Sequence, residues 1–265
     1  MPAIKANGIE IHYEEFGKGD PLVLIMGLGS DGSLWEEHVA AYAKYFRCIV
    51  PDNRGTGRSD KPTGPYSTAL MAEDAAGLVA ALGIKRAHVS GISMGGAIAQ
   101  ELALHHPDLV RSLTLISTWP KCSTYTVRIF EVFRALAAIE DQRTFIRFIH
   151  LWIFTPGTHE HHLDDLLRRE TKALAHPYPT PLHAYHAQCD ACIGHDTLDR
   201  LRQIAAPTLV VVGDEDIFTP LDYSEVIAEK VADATLHVLA GCGHACHWEK
   251  LEEFNRRTLE FMQEH

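Results

Sequence analysis

The chain has 265 residues, enough for one large domain with a deep core, and its 46% hydrophobic and 22% charged residues are ordinary for a globular protein. Its 24 basic and 35 acidic residues give a net charge of -11, which repels nucleic acid and anionic membranes, so we expect neither as a partner. The N-terminal residues show neither a basic leader nor a long apolar run, so we expect no signal peptide. We therefore expect a cytoplasmic protein whose six cysteines are reduced thiols.

Strand patterns recur along the chain. In Ile9–Glu14 apolar and polar residues alternate, which is typical of a half-exposed antiparallel strand. Pro21–Met26 is continuously apolar and is closed by Gly27, which predicts a buried strand that feeds a loop. The same pattern predicts buried strands at Cys48–Val50, Ala87–Ser90, Leu113–Ile116, Thr208–Val212 and Leu236–Leu239.

Helical patterns lie between these strands. Apolar residues recur at helical spacing, and Gly83 and Pro107 stop two of the segments. Strands that alternate with helices indicate an α/β protein with a mostly parallel sheet covered on both faces. The predicted helices are Thr68–Leu82, Gly95–His105, Leu221–Lys230 and Glu249–Gln263.

One long stretch interrupts this alternation. Residues 122–202 contain helical patterns at Val127–Ala138, Thr144–Phe154 and His161–Leu174 but no convincing strand. We predict a core domain of residues 1–120 and 203–265, with residues 121–202 inserted as a helical cap over the C-terminal edge of the sheet. Open α/β sheets hold their ligands at that edge. A helical elaboration away from the site is the alternative.

The strongest motif is Gly91-Ile92-Ser93-Met94-Gly95. A serine nucleophile needs a tight strand-to-helix turn that presents its hydroxyl above the sheet, and the strained, crowded turn favours glycine on both sides. Here an apolar strand precedes the motif and an alanine-rich helix follows it, which is the context that this motif requires. Ser93 is therefore the predicted nucleophile, and a glycine-rich turn without chemistry is the alternative.

A serine hydroxyl needs a histidine base that is oriented by a carboxylate, in the chain order serine, acid, histidine. Asp216 follows one predicted buried strand and His244 follows the last, so both lie at the same sheet edge as Ser93. We assign Asp216 as the acid and His244 as the base. Asp214 and His247 are the competing candidates, but Asp214 is placed to brace its turn and His247 lies farther from the strand end.

The oxyanion of acyl transfer needs preorganised N–H donors. We assign them to the backbone of Met94, which follows the nucleophile, and of Leu28, in the loop after the Pro21–Met26 strand. A second glycine cluster, residues 52–60, lacks the third glycine on a helix that a dinucleotide fingerprint needs. We therefore predict a structural loop held by Arg54 and no cofactor.

Histidine and cysteine spacing also suggests a test for a metal. His186, Cys189, Cys192 and His195 recur every three residues, so on a helix the outer two would face opposite sides. That arrangement does not close a tetrahedral zinc site, although Gly194 could break the helix. We predict buried thiols and no metal.

Aromatic residues gather near the proposed mouth and suggest an apolar acyl or aryl pocket, with core packing as the alternative. The predicted pocket residues are Gly27, Trp35, Trp119, Trp152, Phe154 and Phe218.

Together these motifs resemble the α/β-hydrolase superfamily, and they are most similar to the 3-oxoadipate enol-lactonase-like esterases and lactonases. The resemblance implies an eight-stranded sheet, the triad Ser93, Asp216 and His244, and the oxyanion donors Leu28 and Met94. One departure is Met26, which stands where the family usually has a histidine that braces the oxyanion loop. The resemblance rests on residues 27–31, 52–60, 91–96, 213–216 and 243–244.

The predicted function is cofactor-free hydrolysis of a small-molecule ester or lactone, acyl-homoserine lactones included, through an acyl-enzyme. The same triad could instead cleave carbon–carbon bonds or act as a perhydrolase. A third alternative is a ligand receptor on this fold that does not turn over. The sequence leaves the acyl preference and the oligomeric state open, a homo-oligomer included.

Overall fold

A computed structural model describes residues 2–139 and 141–265, so Met1 and Glu140, which fall within the predicted core and cap, lie outside the described residues. Its eight strands form one sheet in the order β1-β2-β4-β3-β5-β6-β7-β8. The pairings of β2 with β1 and with β4 are antiparallel, and the other five are parallel. This confirms the predicted α/β-hydrolase fold with its mostly parallel eight-stranded sheet. The strands are β1 (Ala3–Ala6), β2 (Ile9–Phe16), β3 (Asp20–Ile25), β4 (Phe46–Pro51), β5 (Ala87–Ile92), β6 (Val110–Ile116), β7 (Thr208–Gly213) and β8 (Ala234–Leu239).

Helices follow most of these strands and lie on both faces of the sheet. Three short 3₁₀ helices, Gly32–Trp35, Pro107–Leu109 and Leu201–Gln203, complete the described elements. The α-helices are α1 (Glu36–Tyr42), α2 (Thr68–Ala81), α3 (Met94–His105), α4 (Thr124–Leu136), α5 (Gln142–Ile153), α6 (Pro156–His161), α7 (Leu163–Leu174), α8 (Leu182–Ile193), α9 (Leu221–Lys230), α10 (Cys246–Glu249) and α11 (Leu251–Glu264).

Strand β3 shows why a continuous apolar run is needed in this sheet. Val23 and Ile25 point into the hydrophobic core on one face, whereas Leu22 and Leu24 point into the core on the other. All four side chains are almost fully buried. Both faces of this central parallel strand are covered and apolar, and the polar side chains of the site come from the loops at the strand ends.

The structure contains elements that the sequence pattern missed, and it shifts the start of the last predicted helix. The sequence pattern missed β1, whose four residues are mostly exposed and so lack apolar contrast. It also missed α1. The predicted helix Glu249–Gln263 corresponds to α11, which begins at Leu251 because Lys250 adopts non-helical backbone angles (φ -127°, ψ 50°) between α10 and α11. No glycine or proline marks that break.

Helices α4–α8 lie between β6 and β7 in the chain. Apart from Glu140, residues 122–202 are described, and they contain no strand. An isolated bridge pairs Lys121 with Asp196, and their side chains form an ion pair of 2.6 Å. Within the described ranges, no helix is long and apolar enough to cross a membrane.

Candidate active site

Ser93 occupies the turn between β5 and α3. Its backbone is in the left-handed region (φ 56°), and its side chain is nearly buried. A Cβ atom at Gly91 would collide with the carbonyl oxygen of Gly95, and one at Gly95 would collide with the backbone of β3. Ser93 N donates to Ile116 O at 2.8 Å, which ties the strained turn to β6. The local sequence thus folds as the strand–turn–helix elbow expected of a serine nucleophile, at the start of a helix where the backbone dipoles favour negative charge.

Asp216 and His244 meet at the ends of β7 and β8. His244 Nδ1 lies 2.9 Å from Asp216 Oδ2, and both side chains are buried. The other carboxylate oxygen, Oδ1, accepts from the backbone N–H groups of Phe218 at 2.9 Å and Thr219 at 2.8 Å. Thr219 Oγ1 donates to Asp216 Oδ2 at 2.7 Å. These donors fix the Asp216 carboxyl group in place, and its position against Nδ1 lets it orient the His244 imidazole.

Ser93 and His244 line the same cavity. The hydrogen bonds of the described residues join His244 to Asp216, but none joins Ser93 Oγ to His244. Catalytic hydrogen bonds of this kind are often long without substrate and tighten in the substrate complex. The structure therefore places the three predicted triad residues at one edge of the sheet, with the acid–base contact formed.

The two competing residues have other surroundings. Asp214 is exposed, and its Oδ1 accepts from Gly241 N at 2.6 Å, which braces the turn that precedes the His244 loop. His247 is buried, and burial holds its pKa well below the usual value. Its ring packs on Trp248 with 4.4 Å between centroids, and no carboxylate of the described chain bonds to it. Neither residue has the contacts that a triad member needs.

The predicted oxyanion donors flank the nucleophile. Met94 N is at the first position of α3, so it has no acceptor within that helix. Leu28 lies in the loop after β3 and lines the cavity together with Ser93, and Met94 directly follows Ser93 in the chain. The backbone of this loop is held by Asn53, whose Nδ2 donates to Met26 O at 2.8 Å. A side chain from the 52–60 loop thus contacts the loop that lacks the family's usual histidine.

A cavity of about 900 Å³ opens above Ser93. Its wall combines residues of the loops at the sheet edge with residues of α4, α5, α7 and α8. Of the predicted pocket residues, Gly27, Phe154 and Phe218 line it. The other apolar lining residues include Ile92, Phe133, Phe145, Ile149, Ile153 and Tyr185.

Three predicted pocket residues lie elsewhere, which corrects the sequence-based expectation. Trp35 is fully buried in the core on the face of the sheet that α1 and α11 cover. Trp119 is also fully buried and packs on Phe130, with 5.3 Å between ring centroids. Trp152 lies among the helices, 6.2 Å from the ring of Phe133, and not on the cavity wall. The position of a residue after a strand did not indicate which way its side chain would point.

The cations at the rim of the cavity are mostly neutralised. Arg169 pairs with Glu37 at 3.0 Å, and Lys172 pairs with Glu36 at 2.7 Å. Both pairs connect α7 to the first turn of α1. Arg168 pairs with Asp165, which lies one turn away on the same helix. Three of the four lysines and arginines that line the cavity are therefore paired, and Lys250 is the fourth, with no ion pair among the described residues.

Sequence reasoning missed several residues that hold the site. Thr219 was one, because a threonine three residues after Asp216 carries no distinctive pattern. Glu249 was another: its Oε2 accepts from Gly243 N at 2.6 Å, and its Oε1 accepts from Thr155 N at 2.9 Å. It therefore ties the loop that carries His244 to the start of α6. No signal in the local sequence distinguishes it from an ordinary helical glutamate.

The spaced histidines and cysteines form no cluster with metal-site geometry among the described residues. His186 Nε2 lies 2.9 Å from the carbonyl oxygen of Arg134, and His195 Nδ1 lies 2.9 Å from Thr68 Oγ1. Cys189 is fully buried, and burial raises the pKa of its thiol to about 12. The two histidines therefore form hydrogen bonds with other parts of the fold, and their side chains do not converge on one point as the ligands of a metal ion would.

The chain is similar to known hydrolases over nearly its whole length. A family model described as the alpha/beta hydrolase fold matches residues 20–251. The protein named "Putative carbamate hydrolase RutD" of Azorhizobium caulinodans is 30% identical over 264 residues, which cover 100% of this chain and 99% of that protein. The 2-hydroxy-6-oxo-6-phenylhexa-2,4-dienoate hydrolase of Comamonas testosteroni is 30% identical, over 96% of this chain and 91% of that protein. The crystal structure of the enol-lactonase from Burkholderia xenovorans LB400 superposes with a TM-score of 0.90 at 27% identity, covering 99% of this chain and 100% of that one.

Proposed function

This chain belongs to the α/β-hydrolase fold family, and from that premise we propose that it hydrolyses carboxylic esters or lactones through a Ser93–His244–Asp216 triad. The observation that carries the proposal is the left-handed elbow of Ser93 on the same cavity wall as the hydrogen-bonded His244–Asp216 pair. We assign the chemistry to a core of residues 1–120 and 203–265, and substrate enclosure to a helical cap of residues 121–202.

The mechanism starts with proton transfer. His244 Nε2 takes the proton of Ser93 Oγ as that oxygen attacks the substrate carbonyl. Asp216 holds Nδ1–H, which keeps the correct tautomer, and it stabilises the imidazolium that forms. The N–H groups of Leu28 and Met94 stabilise the oxyanion, and His244 then returns the proton to the leaving alcohol. Water, activated by the same histidine, resolves the acyl-enzyme.

The cavity supports neutral substrates with an apolar acyl or aryl group. Its wall near Ser93 is aliphatic and aromatic, and burying such groups contributes about 25 cal/mol per Å². Of the cations that line the cavity, Arg169 and Lys172 already pair with glutamates, which leaves Lys250 as the lining cation that has no ion pair among the described residues. The apolar part of the wall therefore favours neutral substrates over anionic ones such as the dienoate in the name of the Comamonas relative.

The proposal is tested with a substrate panel read by kcat/KM. The panel comprises p-nitrophenyl esters from acetyl to dodecanoyl, an acyl-homoserine lactone, an aryl carbamate and a vinylogous diketone carboxylate. We expect multiple turnovers on the esters or the lactone, with kcat/KM rising as the acyl chain grows to fill the cavity. Faster cleavage of the diketone would favour carbon–carbon hydrolysis, and a single turnover on every compound would favour a receptor.

Ser93→Ala is the matched control for this panel. Removing the nucleophile of such a triad lowers kcat by about 10⁶-fold. We expect the variant to keep the far-UV circular dichroism and the unfolding midpoint of the wild type, because alanine fits the same buried turn. Retention of most ester turnover by the folded variant would contradict the assignment of Ser93.

A further inference from the structure

We propose that Gln188, a side chain of α8, is a positioning residue that holds the oxyanion hole in its active geometry together with Thr180. This inference rests on the proposed function, because it assigns a role to the loop that carries the Leu28 donor. It makes the helical segment part of the catalytic apparatus as well as a cover for the substrate.

The contacts of Gln188 join three separate segments. Its side chain is fully buried, and Oε1 accepts a hydrogen bond from Gly29 N at 2.8 Å. Its Nε2 donates to Arg54 O at 2.8 Å. The carbonyl of Gly29 accepts from Thr180 Oγ1 at 3.0 Å. Both backbone polar groups of Gly29, the residue directly after Leu28, are therefore bound by the segment that contains α8.

Close packing reinforces these hydrogen bonds. Gly29 has a φ of +71°, and a Cβ atom there would lie 2.7 Å from a ring carbon of Tyr185 on α8. At Gly55, in the neighbouring loop, a Cβ atom would lie 3.1 Å from Ala184 Cβ and 3.4 Å from Gln188 Nε2. One face of α8 thus presses on both loops at their glycines. The absence of side chains there lets the Gln188 amide reach two backbones at once.

The donor that the reaction needs, Leu28 N, lies between backbone groups that side chains hold in place. Asn53 holds Met26 O, and Gln188 and Thr180 hold Gly29 N and Gly29 O. Leu28 N lies between these fixed points. A donor displaced by about 1 Å from a transition-state oxyanion costs about 10²-fold in rate, so the anchors on each side of Leu28 matter for kcat.

The test replaces Gln188 with methionine, which has a similar unbranched length but forms neither hydrogen bond. Gln100→Met is the matched control, because Gln100 is also fully buried and bonded at both ends, to Trp119 O and to Thr197 Oγ1. Among the described residues, Gln100 forms no hydrogen bond with the oxyanion loop. Both variants lose two buried hydrogen bonds, so a merely structural role predicts the same kinetic result for both.

We expect Gln188→Met to lower kcat on a preferred ester by about 10–100-fold, with KM changed by less than about twofold. The inhibition constant of an alkyl boronic acid, whose tetrahedral adduct needs the oxyanion donors, should rise in proportion to the fall in kcat/KM. Gln100→Met should keep the wild-type kcat and boronate affinity, whatever stability it loses. Equal kinetics in the two variants would overturn the proposal.

Thr180→Val provides the second variant if Gln188→Met does not fold. Valine matches the shape of threonine and removes only the bond to Gly29 O, and we expect kcat and boronate affinity to fall together by a few-fold. If kcat and boronate affinity are both unchanged, the proposal that this segment positions Gly29 is overturned. A wild-type protein that neither turns over any ester nor binds the boronate would instead refute the proposed function, and the inference with it.

Discussion

Gly29→Ala should destabilise the fold and impair the site, and Gly83→Ala separates the two effects. Both glycines have a φ of +71°, so both substitutions force alanine into the left-handed region. At Gly83 nothing lies within 4 Å of the new Cβ, whereas at Gly29 two ring carbons of Tyr185 lie 2.7 and 2.9 Å away. The pair therefore differs in steric contact and not in backbone angle.

The magnitudes follow from these two terms. Left-handed backbone costs an L-residue about 1–2 kcal/mol, and the reduced entropy of the unfolded chain offsets about 0.4–1 kcal/mol of this. We expect Gly83→Ala to lower the free energy of unfolding by about 1 kcal/mol. Overpacking against a rigid ring adds about 1–3 kcal/mol, because Tyr185 is itself buried and packed edge-on against Phe145. Gly29→Ala should therefore cost about 2–4 kcal/mol.

Urea unfolding at 25 °C measures the free energy of unfolding of both variants, and a common m-value shows that the difference lies in the folded state. Ester hydrolysis below the transition gives kcat, which should fall about 10-fold or more for Gly29→Ala, since Leu28 moves with its neighbour. Gly83→Ala should keep the wild-type kcat. Equal losses of stability in the two variants would refute the argument that Tyr185 confines the oxyanion loop.

Two further predictions concern the acid of the triad and the buried histidines. Asp216→Asn should lower kcat by about 10⁴-fold by favouring the wrong tautomer of His244. Asp214→Asn, which can still accept from Gly241 N, should change ester turnover little, and comparable losses in both would contradict the assignment of the acid. Burial lowers the pKa of His38 from 6.5 to about 4, so below pH 6.5 the unfolded chain binds a proton that the folded chain does not. As the pH is lowered from 6.5 to 4, this residue should reduce the free energy of unfolding by about 1.4 kcal/mol per pH unit. Urea unfolding measured at several pH values should show that the free energy of unfolding of His38→Gln depends less steeply on pH than that of the wild type.

The sequence predicted those parts of the molecule that depend on local pattern. A continuous apolar run such as Leu22–Ile25 reports burial on both faces of a sheet, and glycines on each side of Ser93 report a crowded turn. Strand ends then place Asp216 and His244 near one another, because parallel strands share an edge.

Contacts between distant segments were not predictable in this way. Gln188 and Gly29 are 159 residues apart, and a single hydrogen bond between them leaves no periodicity in either segment. Trp35 and Trp119 showed the converse: their positions after strand ends predicted a pocket, but their large apolar side chains turn into the two cores. Burial of about 200 Å² of aromatic surface outweighs proximity to the site.

The bridge between Lys121 and Asp196 brings the two ends of the helical segment together. Because the chain leaves and re-enters at one place, the intervening helices can lengthen, shorten or be exchanged without changing the register of the strands below them. Loop closure makes such changes inexpensive, since doubling a loop adds only about 0.6 kcal/mol of entropy. Under the proposed function, changes in these helices would alter which substrates are admitted and leave the residues at the strand ends unchanged, provided that a side chain of the segment still reaches Gly29.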